Sequence, residues 1–373
     1  MTEDLKWSDY DFTKIPYDDI VQVGQRTLLY RDLFTVSWLL GRFCNYRCSY
    51  CWPYARSDRK DHRPTDLCLK TIDEIKRQAR DNGFNSFHFS LSGGEPTFHP
   101  GYLDILGYLA DDVPNTNYTS IHMTSNCSRP MSWFEDYVER AKPFHRASIT
   151  ASLHTEHLNT REKMQDFADK LILCQEHDVQ ITINMVMVPE WFEKDWENAL
   201  FFHEQGINVT LKPQSDPTAS RVVDGYSDEM LQRLWNGMPQ MAYTESKRKW
   251  ADRPRPSFEL PPYAIGENDK SVPWHMQVEF TDSKGKKWYM DQAERFNAFG
   301  FNKFEGWMCQ SGYSGIIIRE PDGSIKRSYS CHDVPLGNIE TGFKLFDGPR
   351  VCTTPACVSS ADSKIPKRKI LDK

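Results

Sequence analysis

Between residues 35 and 213 the chain alternates short runs rich in Ile, Val, Phe, Thr and Tyr with longer segments whose apolar residues recur every three or four positions. The short runs, at 36–40, 86–91, 118–124, 147–153, 180–188 and 208–212, predict six strands. The segments at 66–81 (Leu69, Ile72, Ile75, Ala79), 102–109, 133–141, 160–177 and 195–205 predict five helices between them. Such an alternation predicts an α/β fold with a parallel sheet, curled into a partial (β/α)6 barrel of the TIM type. Its ligand site then lies at the carboxyl ends of the strands.

The texture changes after Pro213. One more helix is expected at 228–238, a proline-rich stretch at 253–273 reads as an extended connection, and two hairpins come after it. The first pairs 277–281 with 287–290. The second pairs 316–319 with 324–327 around Pro321, Asp322 and Gly323. The expected organisation is an N-terminal extension (1–32), the barrel (33–240), the connection (241–275), and a small C-terminal hairpin domain with a basic tail (276–373).

Composition narrows the function. With 46 Lys and Arg against 52 Asp and Glu the net charge is −6, so nucleic acid is not an expected partner. No apolar run approaches the roughly 20 residues that span a bilayer. The acidic start, Met1 to Lys6, lacks the apolar core of a signal peptide, so a cytoplasmic location is expected. In that reducing compartment ten cysteines are not a disulfide framework, and metal binding becomes the first reading.

Cys44, Cys48 and Cys51 fall on the loop after the first strand. Three thiolates spaced four and three apart can converge on one corner of an iron–sulfur cubane and leave one of four irons open. Zinc with a distant fourth ligand, or three unrelated buried thiols, are the alternatives. The motif formed by Cys44, Cys48, Tyr50 and Cys51 resembles that of the radical SAM superfamily, over a span from about Leu33 to Pro213. Ser92, Gly93, Gly94, Glu95 and Pro96, at the second strand end, resemble the family's GGEP.

The resemblance implies a [4Fe-4S] cluster on Cys44, Cys48 and Cys51, with S-adenosylmethionine on the open iron. It also implies cleavage of that cofactor to a 5′-deoxyadenosyl radical, which takes a hydrogen atom from a substrate. Gly93, Gly94 and Glu95 would face its methionine moiety and Tyr50 its adenine. Asn126, Ser152 and Asn184, at later strand ends, would hold its polar groups, and Arg161 its carboxylate. His154 stands where many relatives carry Asp.

Cys309, Cys331, Cys352 and Cys357 flank the second hairpin and the segment after it. They resemble the SPASM/Twitch extension of radical SAM enzymes, which implies an auxiliary [4Fe-4S] cluster; four thiolates also suit structural zinc. Cys127, next to Asn126, is a candidate hydrogen-atom donor to a substrate radical, as epimerisation requires, or else a buried small hydrophobe. The expected reaction is oxidation or epimerisation of a small polar substrate of sugar, aminocyclitol or nucleotide type. Lys212, Gln214, His88 and His122 are candidate contacts, and a flavodoxin- or ferredoxin-type protein the electron donor. A ribosomal peptide-modifying enzyme is the alternative; a non-catalytic metal-stabilised binding protein is the second.

Overall fold

The computed structural model describes residues 11–25, 32–52, 56–60, 62–217, 222–238, 278–290, 296, 299–319, 322–331 and 335–371. The expected connection at 241–275 lies outside them. The chain divides into two compact units, Ser37–Ile72 with His88–Glu259, and Met1–Val36 with Asp73–Phe87 and Leu260–Lys373.

The first unit is built on parallel strands. Strands β2 (Leu33–Leu39), β3 (Ser86–Ser92), β4 (Tyr118–Ser125), β5 (Arg146–Leu153), β6 (Val179–Met187) and β7 (Val209–Pro213) lie side by side in chain order. The boundary between units falls inside β2 and β3. Helices α1 (Thr65–Asp81), α2 (Tyr102–Asp111), α3 (Met131–Ala141), α4 (Arg161–Glu176) and α5 (Phe192–Glu204) connect successive strands, and α6 (Asp228–Asn236) comes after β7. This is the expected partial (β/α)6 barrel.

A parallel sheet covered by helices on both faces has strands that are apolar throughout. These strands alternate instead. On β5, Ala147, Ile149, Ala151 and Leu153 are buried, while Arg146, Ser148, Thr150 and Ser152 are half-buried. On β6, Ile181, Ile183 and Met185 alternate with Thr182, Asn184 and Val186 in the same way. The polar face is stitched across strands by His88 Nδ1 with Ser120 Oγ and His122 Nδ1 with Ser148 Oγ, both 2.8 Å, and by Arg146 Nε donating to Gln180 Oε1. One face of the sheet is therefore a hydrocarbon core and the other a polar wall.

The helices complete the apolar side. Thr160 Oγ1 accepts from Lys163 N at the start of α4, satisfying one of the donors a helix N-terminus leaves unpaired. Phe167 of α4 meets Phe202 of α5 edge to face, with ring centroids 5.6 Å apart.

The second unit holds a six-stranded sheet in the order β15-β10-β16-β1-β8-β9. Its members are β1 (Ile20–Gln25), β8 (Val278–Asp282), β9 (Lys287–Met290), β10 (Met308–Cys309), β15 (Arg350–Val351) and β16 (Lys367–Arg368). A second run, β11 (Gly315–Ile318), β12 (Ser324–Lys326), β13 (Gly337–Asn338) and β14 (Gly342–Phe343), is antiparallel. Both expected hairpins are present as β8–β9 and β11–β12.

Where the sequence pattern sets residues 1–32 apart as an extension, the structure differs. β1 is an inner strand, with Val23 opposite Phe280 on one side and Lys367 on the other. The reason is burial: Ile20 and Val23 are fully enclosed, in a core with Val278, Phe280, Phe296 and Phe304.

Candidate functional site

The three early thiols lie on the loop after β2, at the carboxyl end of the sheet. Backbone bonds fix the start of that loop against the loop after β3: Gly94 N donates to Gly41 O at 2.9 Å and Glu95 N to Phe43 O at 2.7 Å. The approach leaves no room for side chains. A Cβ on Gly93, whose φ is +152°, would stand 2.3 Å from Gly41 O, and one on Gly94 2.3 Å from Arg42 O. The glycine pair is thus required by the chain's own packing.

Glu95 then ties this pair of loops to β4. Its buried carboxyl accepts from Asn126 N at 2.6 Å, Ser125 Oγ and Thr97 Oγ1 at 2.7 Å each, and Thr97 N at 3.2 Å. Burial pushes its pKa up, and these donors oppose the shift. Both Glu95 oxygens are thus taken by protein donors, and Asn126 Oδ1 likewise accepts from Ser128 N at 3.1 Å. Asn126 does reach the thiol loop, with Nδ2 2.9 Å from Asn45 Oδ1 and 3.9 Å from Cys44 Sγ.

The end of β5 grips the same loop from the other side. Tyr50 Oη and His154 Nδ1 are 2.8 Å apart. Glu156 accepts from Ser49 N and, at 2.6 Å, from Ser49 Oγ. His157 Nε2 accepts from Arg47 N at 3.2 Å, and its ring stacks on Tyr46 with centroids 4.0 Å apart. Burial, with His157 nearby, lowers the His154 pKa to about 4, so this imidazole is neutral at physiological pH. The pattern of the sequence singled out His154 but not Glu156 or His157; their adjacency to a strand-end histidine was the available signal.

Ser152 and Asn184 are direct register partners on β5 and β6, and Asn184 pairs with Thr210 of β7, giving one polar row on the half-buried face. Lys212 lies on β7, half-buried, and Gln214 N donates to Tyr226 Oη just beyond it. The Arg161 guanidinium lies 4.1 Å from the centre of the Phe201 ring. Cys127 is 1% exposed, has a φ of +51°, and turns its sulfur to Ser125 O. Burial raises its thiol pKa well above the usual value, and Glu95 adds to this. These are the surroundings of an enclosed core thiol.

Asp195, on α5, was not anticipated. It accepts from Thr155 Oγ1 at 2.9 Å, while its other carboxyl oxygen is buried without a hydrogen-bond partner. Burial pushes its pKa up to about 6.

Burial also raises the pKa of Cys44, Cys48 and Cys51, with Cys48 pushed up to about 12. Such thiols keep their protons until a cation draws them off. Among the described residues no three His, Cys, Asp or Glu side chains stand together as an ion-binding group. The free thiols turn to local partners instead, as Cys51 Sγ does to Trp52 O at 3.7 Å. The donor set nonetheless fits an iron–sulfur cluster: three thiols on one short loop, electrostatically coupled, with Cys44 and Cys51 partly open to solvent.

The late cysteines lie in the second unit, 3–6% exposed. Cys309, Cys352 and Cys357 belong to its apolar core. Burial raises the Cys352 thiol, with Cys309 and Cys331 adding to the effect, and pushes Cys357 up to about 12. Ser328 Oγ donates to Cys331 Sγ at 3.2 Å and Ser311 N to Cys309 Sγ at 3.5 Å. Four buried thiols in one unit, two of them with donors aimed at the sulfur, are a donor set that suits a closed, fully ligated centre.

Residues 38–203 match the family model of the radical SAM superfamily. No curated protein matches the chain. Among solved structures it is similar to native anSMEcpe with bound AdoMet and Kp18Cys peptide, at a TM-score of 0.50 and 14% identity, covering 83% of this chain and 79% of that one. Native anSMEcpe with bound AdoMet matches at a TM-score of 0.49 and 14% identity, over the same shares. The first of these likenesses supports the fold.

Proposed function

Because residues 38–203 form a radical SAM domain, whose family binds a [4Fe-4S] cluster and S-adenosylmethionine, we propose that Cys44, Cys48 and Cys51 hold that cluster and that the protein is a radical SAM enzyme acting on a small polar substrate. The observation that carries this reading is the thiol loop itself, fixed at the strand ends by Glu95 and Asn126 on one side and by His154, Glu156 and His157 on the other. Held by Cys44, Cys48 and Cys51, a reduced cluster would supply the one-electron reductive cleavage of S-adenosylmethionine that starts hydrogen-atom abstraction from a substrate.

The chain's part is orientation and exclusion. The polar row of Ser152, Asn184 and Thr210 offers hydroxyl and amide groups to a cofactor or to a polyhydroxylated substrate, at the end of the sheet where the thiols lie. Neutral His154 holds the Tyr50 hydroxyl without placing a second positive charge beside the thiols. Cys309, Cys331, Cys352 and Cys357 are the ligands of an auxiliary [4Fe-4S] cluster, whose use as an electron acceptor or relay favours oxidation of the substrate. A flavodoxin- or ferredoxin-type protein is the matching donor. A peptide substrate is the second reading, favoured by the peptide bound to the structurally similar anSMEcpe.

The test is iron and acid-labile sulfide per chain after anaerobic reconstitution, together with 5′-deoxyadenosine formation. About eight irons falling to about four in a Cys44/Cys48/Cys51 triple-alanine variant, with cleavage abolished, is expected. Retained cleavage in that variant would overturn the assignment.

A further inference from the structure

Lys367 is a buried lysine, 3% exposed, with a cysteine beside it. On β16 it is the register partner of Cys309 on β10. Its Nζ donates to three backbone carbonyls, Asp362 O at 2.6 Å, Ile365 O at 2.9 Å and Ser363 O at 3.4 Å. Three donated bonds need three N–H groups, which only the ammonium form has. The same nitrogen lies 4.9 Å from the centre of the Phe304 ring, a further contact that suits a cation.

A charge enclosed in this way is costly unless something nearby compensates it. The Asp362 carboxyl does not pair with it directly: Ser330 N and Ser330 Oγ bond one oxygen and Tyr329 N the other. Asp362 therefore acts on Lys367 only through space, and further negative charge would come from the thiols once a metal centre holds them as thiolates. Lys367 acts electrostatically on both Cys352 and Cys357, and Cys309 is its neighbour across the strands.

We propose that Lys367 is a built-in cation that favours the reduced state of the centre held by Cys309, Cys331, Cys352 and Cys357. This rests on reading those four cysteines as ligands of an auxiliary [4Fe-4S] cluster. Four thiolates around a [4Fe-4S]2+ core carry a net charge of −2, and uptake of one electron from the external donor makes it −3. A fixed positive charge stabilises the more negative state, so its removal lowers the reduction potential. Lys367 is a positioning residue in this scheme and makes no contact with substrate.

The experiment is an EPR-monitored redox titration of the full chain in the Cys44/Cys48/Cys51 triple-alanine background, where the auxiliary centre is the remaining cluster. With Lys367→Met, the ratio of reduced to oxidised centre at a fixed potential should fall at least tenfold, about 59 mV for a one-electron couple. Lys367→Arg, which keeps the charge, should restore most of the shift, and Asp362→Asn, which removes a neighbouring negative charge, should move the midpoint upward. About four irons per chain with a midpoint unchanged in Lys367→Met overturns the role of Lys367 alone. Should Lys367→Met fail to fold, Lys367→Gln replaces it, and an unchanged midpoint there overturns the role. Zinc in place of iron in the triple-alanine background overturns the auxiliary-cluster reading and this role with it.

Discussion

The two groups of cysteines differ in their walls. The early thiols sit on a loop gripped by polar side chains from neighbouring strand ends, and Cys44 and Cys51 keep partial contact with solvent. The late four are enclosed beside aromatic rings and a lysine whose charge is met by carbonyl groups. A centre that must exchange a ligand needs an approach route and a rigid rim. One that passes electrons needs enclosure and a fixed electrostatic surrounding. The same ligand type serves either purpose, and the surroundings decide which.

The largest effect that separates the two regions comes from single cysteine changes. Cys44→Ala should abolish 5′-deoxyadenosine formation, whereas Cys352→Ala should leave cleavage within about twofold and reduce substrate turnover at least tenfold. Equal loss of cleavage in both would erase the distinction. Next comes the rim. Glu95→Gln presents an amide donor to a site of N–H and O–H donors, at a cost of about 2 kcal/mol, equivalent to a fall of about 5 °C in Tm. Calorimetry that finds no change would show that the carboxyl does not hold the loops together.

Asp195 offers a pH test on the same unit. Its folded pKa is raised to about 6 by burial, from an ordinary value of 3.8. The favourable contribution of the protonated form is therefore complete below about pH 4 and is lost as pH rises through 6. Asp195→Asn should remove this slope from the Tm profile between pH 4 and 6 and stabilise the protein at pH 7. A profile that keeps its slope would assign it to another group. The smallest effect is expected at Arg161, stacked on Phe201: Arg161→Ala should change the KM for S-adenosylmethionine no more than about twofold. A tenfold rise would restore Arg161 to the cofactor site.

Much of the barrel was legible because strand and helix periods were unambiguous. The expected strand at 147–153 is β5 at Arg146–Leu153, and the expected helix at 66–81 is α1 at Thr65–Asp81. The thiol loop was legible from cysteine spacing. Strand β1 was not, because a six-residue run with Gly24 and two glutamines carries little pattern, and its place depends on partners such as Phe280, more than 250 positions away. The same limit applies at the site. Glu156 and His157 act through contacts with residues 107 and 110 positions earlier, a separation that no local spacing encodes. Arg161 was expected to hold a carboxylate, and its stacking on Phe201 depends on a residue 40 positions later, which local spacing does not encode.

The position of β1 also sets an order in time. Its neighbours are β8 and β16, so the first strand among the described residues stays unpaired until residues 278–282 and then 367–368 have been synthesised. The parallel strands from β3 to β7 are complete by residue 213 and meet no such wait. Domains that finish early fold early during synthesis, while pairings of long sequence separation come late. The early thiol loop is therefore presented while the ribosome is still at work. The sheet that carries Cys309 is completed only when β16 has been made, so the surroundings of the late cysteines form after those of the early ones.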